Sequence, residues 1–232
     1  MKRFLSLTIT AVTIVVFWVI PRAAEARLNI SGFFGYGYFF GLGEINDSFD
    51  EYYNSVYGTN LELGTGTASG AEIEYRISPE LVIRGETFSL QCNTADSYTE
   101  LSPPYTVEAY IKGEARATSV FLSGVYKPDF DESISFYLGA GIGIFYTELE
   151  ISTRQTYYLD GVWDYEKIDT LHGRDSPWGF QFLGGAEYRI GKNFVLQGEA
   201  KILVSTSALK EKIGKAVNWD GFFLSLGVGY NF

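Results

Sequence analysis

The chain has 232 residues, a net charge of −10, one cysteine, one histidine, 26 glycines, 17 tyrosines and 18 phenylalanines. An acidic chain of this kind is a poor nucleic-acid binder. The lone Cys92 excludes an internal disulfide, and no phosphate loop, zinc-ligand spacing or nucleotide fingerprint is present.

The first segment is basic at Lys2 and Arg3, apolar from Phe4 to Ile20, and closes on Ala24-Glu25-Ala26. That order reads as a cleavable secretory signal peptide over 1–26; the competing reading is an uncleaved membrane anchor. Cleavage after Ala26 would remove Lys2, Arg3, Arg22 and Glu25 and move the net charge from −10 to −12. No later run is apolar for eighteen residues, so no helical span is expected in the remaining domain, 27–232.

Strict alternation follows instead. Residues 28–42 set Leu28, Ile30, Phe34, Tyr36, Tyr38 and Phe40 against Asn29, Ser31, Phe33, Gly35 and Gly37. Period two means a strand between two different environments. A long acidic, Tyr-rich loop comes next; its Asp47, Asp50 and Glu51 do not have EF-hand spacing.

The second strand, 65–77, sets Ala71, Ile73 and Tyr75 against Glu72, Glu74 and Arg76, and Ser78-Pro79-Glu80 turns it into the third. The third, 81–91, sets Leu81, Ile83 and Gly85 against Val82, Arg84, Glu86 and Phe88. A loop over 92–112 is expected, then a fourth strand over 113–126 with Val120, Leu122 and Tyr126 on its apolar face. After Lys127-Pro128-Asp129 the fifth, 134–146, has Phe136, Leu138, Ile142 and Ile144 on one side and Ser135, Tyr137, Gly139, Gly141 and Phe145 on the other.

A third long connection, 147–177, contains Asp160-Gly161, a hairpin signal, so the strands beside it should project as a ribbon. The competing count is a ten-stranded barrel. The sixth strand, 178–190, carries Glu187 and Arg189 opposite Phe180 and Phe182; the seventh, 194–204, carries Glu199 and Lys201 opposite Leu196 and Ile202. A short basic run, LKEKIGKA, precedes the eighth strand, which ends the chain on Tyr230 and Phe232.

Eight strands joined by alternately short and long connections predict an all-β, transmembrane, antiparallel up-and-down barrel. In hydrocarbon every backbone N–H and C=O must be paired, so the last strand must close on the first. Tyr75, Tyr126, Phe136, Tyr188 and Phe194 then fall at one height beside the short turns, as an interfacial aromatic belt would.

The charged residues Glu72, Glu74, Arg76, Arg84, Glu86, Glu187, Arg189, Glu199 and Lys201 all fall on the inward face. Strands two and three oppose six and seven across the ring, so a salt-bridged plug is predicted, either a stability element or a gated polar conduit. Above it Phe33, Phe39, Phe88, Phe145 and Phe223 either pack the bore or line a pocket open to the outside.

The chain resembles the small eight-stranded outer-membrane barrels of Gram-negative bacteria, of OmpA, OmpX and opacity type, most specifically in its terminal GVGYNF. That resemblance implies an outer-membrane location, contact with outer-membrane lipid and lipopolysaccharide, and a terminal strand whose Tyr230 and Phe232 are read by the barrel-assembly machinery. A monomeric, non-enzymatic barrel is expected, with no cofactor, no metal and no nucleic-acid partner. Its work would be envelope integrity or surface interaction through the long loops. The alternatives are a narrow porin or OmpW-like channel and, behind it, a lipid-modifying enzyme, for which His172 in TLHGRDSPW is the one histidine and Arg174 stands where a deacylase pattern needs Ser.

Overall fold

The computed structural model describes residues 28–42, 63–102, 104–128, 133–206 and 218–232. The signal segment, Asp47, Asp50, Glu51 and the LKEKIGKA run lie outside them.

Nine strands follow one another in the described residues: β1 (Leu28–Phe39), β2 (Thr65–Arg76), β3 (Leu81–Ser102), β4 (Tyr105–Tyr126), β5 (Ile134–Leu159), β6 (Val162–Asp175), β7 (Trp178–Ile190), β8 (Phe194–Ser205) and β9 (Gly221–Asn231). Every pairing is antiparallel. β9 pairs with β1 from Asn29↔Asn231 to Phe39↔Gly221, which closes a ring in the order β1-β2-β3-β4-β5-β7-β8-β9. The ring therefore has the expected eight strands, and β6 stands outside it, paired among the described strands with β5.

Closure removes sheet edges from the ring, and the alternation decides its two faces. Phe34, Tyr36, Leu122, Phe136, Leu138, Phe182 and Leu226 point outward and are exposed; their neighbours in sequence are buried in the bore. Tyr75, Tyr126, Phe136, Tyr188 and Phe194 are all exposed at the short-turn rim. At the other rim stand Tyr38, Phe40, Tyr146 and Trp178. Phe136 and Tyr146 bracket one outward face of β5. Ten residues of strand tilted about 40° rise about 26 Å, close to the roughly 25 Å apolar band of an outer-membrane barrel.

The connection over 92–112 differs from the expected loop, while that over 147–177 is the projecting ribbon the Asp160-Gly161 signal predicts. Residues 92–112 and 147–177 are mostly strand: β3 and β4 stay paired up to Ser102↔Tyr105, β4 and β5 up to Tyr105↔Leu159, and β5 and β6 up to Leu159↔Val162. The reason lies in the outward residues. In β4, Val107, Ala109, Ile111, Ala115 and Ala117 stay buried on the inner side, while Glu108, Lys112, Glu114 and Arg116 face out. Above the bilayer the outer face meets water, so the apolar outward face that marks a membrane strand disappears although the strand continues.

The upper halves of β3, β4, β5 and β6 thus form a four-stranded sheet rising from the ring. Its tip is the expected hairpin: Asp160 (φ 49°) and Gly161 (φ 78°) take the two left-handed positions of a type I′ turn, which suit Asp-Gly.

Candidate functional site: an occluded lumen beneath an extracellular sheet

The bore is filled in layers. At the short-turn mouth a small recess is lined by Arg76, Lys127, Ser133, Ser135, Glu187, Arg189, Val195 and Asn231. Just inside, the buried Lys127 ammonium bridges Glu74 (3.2 Å) and Glu187 (2.5 Å). Above it, Arg84 is completely buried. Its Nε and a terminal nitrogen donate to Glu74 Oε1 at 3.0 and 2.6 Å, and another nitrogen lies 3.3 Å from Glu72 and in contact with Glu199. Glu72 also accepts from Ser31 Oγ and Gln197 Nε2, each at 2.8 Å. The Arg84 guanidinium lies 4.9 Å from the centre of the Tyr137 ring.

The next layer is Lys201, whose ammonium reaches Glu86 at 2.7 Å and Glu199 at 2.9 Å and sits 4.5 Å from the Phe33 ring centre. Gln181 donates to Ser123 Oγ at 2.7 Å on the same side of the aromatic layer. Phe88 then stacks on Phe121 and Phe223, with ring centres 5.9 and 6.1 Å apart, and tilts against Phe33 at 6.3 Å. Above the rings an apolar cluster of Phe39, Leu42, Leu63, Ile111, Leu149, Ile151, Leu203 and Trp219 closes the sheet-side mouth.

Small residues make this filling possible. A Cβ on Gly185 would lie 2.5 Å from the Tyr137 hydroxyl, and one on Gly227 would lie 2.8 Å from Gln197 Cγ. The large polar side chains occupy space that alanine would take away.

Of the nine charged residues expected inside, Glu72, Glu74, Arg84, Glu86, Glu187, Glu199 and Lys201 are buried in the bore and meet across it. Arg76 and Arg189 are not in the plug: Arg76 is half-buried at the mouth, donating to the Pro79 carbonyl at 2.6 Å, and Arg189 is exposed there. Both sit so close to their turns that their side chains reach water. Lys127, read from the sequence only as part of a turn, takes the buried position instead. The signal was present: Ser123, Val125 and Lys127 continue the inward alternation of β4 one step past the strand.

Glu72, Glu86 and Glu199 place carboxylate oxygens within 4.8 Å of one another. Arg84 and Lys201 stand among these three carboxylates and already supply the positive charge a metal ion would bring.

The expected aromatic set, Phe33, Phe39, Phe88, Phe145 and Phe223, packs the bore with Phe121 added; each is 6% exposed or less, so the rings line no pocket open to the outside.

His172 lies on β6 in the projecting sheet rather than in an unstructured loop. Its Nε2 is 3.7 Å from Glu148, and Asp175 accepts from the Ser176 backbone amide at 2.7 Å. Glu148 is held mainly by Arg174, whose guanidinium donates to it at 3.1 and 2.6 Å. That hydrogen bond keeps the Glu148 carboxyl below its ordinary range. A folded-state value below the unfolded one gives stabilisation that is present above the unfolded value and is lost as pH falls through the folded one. Observed by NMR, the Glu148 carboxyl should titrate below 4.5, and Arg174→Gln should raise its midpoint.

No family model matches the chain, and no curated protein does. Among solved structures, Neisserial surface protein A covers 88% of this chain and 97% of its own at 16% identity, with a TM-score of 0.46. Ail, the attachment invasion locus protein of Yersinia pestis, covers 90% and 100% at 15% identity, TM-score 0.47. The outer membrane protein OprG from Pseudomonas aeruginosa covers 90% and 96% at 11% identity, TM-score 0.46. Ring closure, an aromatic-rimmed apolar belt of bilayer height and a charged, filled interior are this chain's own features. They make it a small eight-stranded transmembrane β-barrel.

Proposed function

We propose that this protein is a non-conducting, non-enzymatic outer-membrane anchor whose work is done by the sheet it holds above the bilayer. The observation that carries this reading is the continuity of the filling. Among the described residues, ion pairs, stacked rings and an apolar cluster succeed one another from the mouth recess up to the sheet.

A hydrated ion entering from the mouth would have to separate Lys127 from Glu74 and Glu187, then Arg84 from three carboxylates, in a low-dielectric bore. The same filling makes the barrel stiff, which suits an anchor. Tyr230 and Phe232, packed edge to face at 4.9 Å on the short-turn rim, are the residues we assign to recognition by the assembly machinery.

Purified barrel in planar bilayers should give no steady single-channel steps, and Arg84→Ala should leave that baseline silent, because the ring layer above is untouched. Regular steps from the wild-type protein, altered in size by Arg84→Ala or Arg189→Ala, would instead establish a channel.

A further inference from the structure

The four-stranded sheet ends, far from the bilayer, on two neighbouring turns. One joins β3 to β4 beyond Ser102↔Tyr105, and the other joins β5 to β6 beyond Leu159↔Val162. The Asp160 amide donates to the Pro104 carbonyl at 3.3 Å and ties the two turns into one tip. That tip is apolar and open: Leu101 is 77% exposed, Val162 70% and Trp163 61%. None of the three packs the bore or the bilayer belt, and a contiguous exposed apolar set of this kind marks an interaction surface.

Register sets Leu101, Thr106, Tyr158 and Trp163 in one row across the sheet, on the outward face that also carries Glu108 and Tyr110. On the opposite face Tyr157 stacks on Tyr165 with ring centres 4.3 Å apart, and Tyr105 meets Tyr157 edge-on at 6.5 Å. Tyr158 is fixed by its hydroxyl, which donates to Glu108 at 3.2 Å. Rings held in place on a sheet lose little freedom when a partner lands on them.

The charge of the tip selects the partner. Residues 97–108 and 155–166 hold five acids, Glu100, Glu108, Asp160, Asp164 and Glu166, and no base. The bordering bases Arg154 and Lys167 pair with Glu166 and Asp169. Among the described residues no cation pairs with Glu100, Asp160 or Asp164. The Glu108 carboxylate holds the Tyr158 hydroxyl above its ordinary range, as a locally negative surface does. A second copy of this tip would set like charges together, and an anionic lipid surface would repel it. A neutral sugar or a zwitterionic bilayer would leave the carboxylates unmatched. A guanidinium answers both features at once, since it lies flat on an aromatic ring and donates to a carboxylate in the same pose, whereas an ammonium is a compact, strongly hydrated point charge.

We propose that the tip of the projecting sheet is a docking surface for an arginine-rich polypeptide segment, with Trp163 and Tyr158 receiving guanidinium planes and Asp160 and Asp164 matching their charge. Leu101 and Val162 would cover the methylene stems of the same arginine side chains. The inference rests on the anchor reading, since it names the partner of the sheet that the barrel holds up. Its test is separate from conductance: single-channel steps with peptide binding intact would overturn the anchor reading alone.

Barrels in phosphatidylcholine nanodiscs are titrated into fluorescein-labelled nona-arginine at about 0.15 M salt, where the Debye length is about 8 Å. Anisotropy is the readout and empty discs are the blank. Wild-type barrels should bind, and nona-lysine should bind more weakly. Trp163→Ala, which changes no charge, should weaken binding about five-fold or more. Asp160→Asn together with Asp164→Asn should weaken it about ten-fold, and asparagine tolerates the left-handed backbone at 160. Glu150→Gln also removes an exposed acid, but it lies eight residues along β5 from Tyr158, about 26 Å away, and should leave binding unchanged.

Heat-modifiable migration of each variant checks that the barrel is folded, and every substituted residue is exposed. Absence of wild-type binding, or equal binding of nona-lysine and nona-arginine, would overturn the proposal. So would wild-type affinity in Trp163→Ala with comparable losses in the aspartate and Glu150 variants, which is diffuse attraction of a polycation to an acidic protein. Capture of the discs by added phosphatidylcholine vesicles, lost in Trp163→Ala and without peptide binding, would overturn it in favour of a lipid surface.

Discussion

Arg84→Met is expected to lower the unfolding free energy of the barrel by about 3–5 kcal/mol, the usual cost of removing one partner from a buried ion-pair cluster. Arg84 is completely buried and is the shared partner of Glu72, Glu74 and Glu199. Without it Glu199 keeps Lys201 and Glu74 keeps Lys127, but Glu72 keeps only its neutral donors Ser31 and Gln197. Three carboxylates would then crowd a space from which water is excluded. Urea unfolding from phosphatidylcholine vesicles, followed by tryptophan fluorescence, reads the loss.

A compensated variant separates charge from packing. Arg84→Met combined with Glu72→Gln removes the carboxylate left without a cation and should recover much of the loss. A loss under about 1 kcal/mol for the single variant would mean that water reaches this layer from the mouth. The plug would then be a hydrated conduit, and the anchor reading would fail with it.

Phe88→Ala should cost a similar amount, about 3–5 kcal/mol, for a different reason. Phe88 is the hub of the ring layer, stacked on Phe121 and Phe223 and tilted against Phe33. The layer's rings belong to four different strands of a closed wall, so the neighbours are unable to collapse into the space Phe88 leaves. Lys201, 5.4 Å from its centre, would also lose part of the aromatic face above its ammonium. Phe88→Leu should recover most of the stability, since an apolar side chain refills the layer. Equal losses for the two variants in the same urea titration would show that ring geometry, rather than filled volume, sets the stability of this level.

The transmembrane part of the fold was legible because the bilayer enforces a simple code. Outward residues such as Phe136, Leu138 and Leu226 are apolar, while the inward ones are polar or small, such as Glu72, Arg84 and Gly227, or packed rings such as Phe88 and Phe223, so the two faces differ at every step. The code fails where the solvent changes. Glu108, Lys112 and Glu114 look like loop residues, yet they are the wet face of β4, whose other face buries Val107, Ile111 and Ala115. β6 has no buried face to reveal it, apart from Gly173, and exists because β5 offers it an edge. Arg76 and Arg189 show the limit in the plug. Alternation assigns a residue to a face of the wall but not to a depth, and at the mouth a long side chain can leave the bore for water.

The sequence by itself determined a membrane-spanning ring of eight strands, its apolar exterior, the rims where aromatic residues gather, and the identity of nearly every charge inside, because each of these follows from period two and the cost of an unpaired backbone in lipid. Only the tertiary structure decided which charges meet. Arg84 touches Glu199 and Lys201 touches Glu86 across more than a hundred residues of chain, through the curvature of a closed wall. It also decided that the apolar residues above the rings seal the bore, and that β6 extends the sheet outside the ring, since both depend on how far neighbouring strands continue together beyond the membrane.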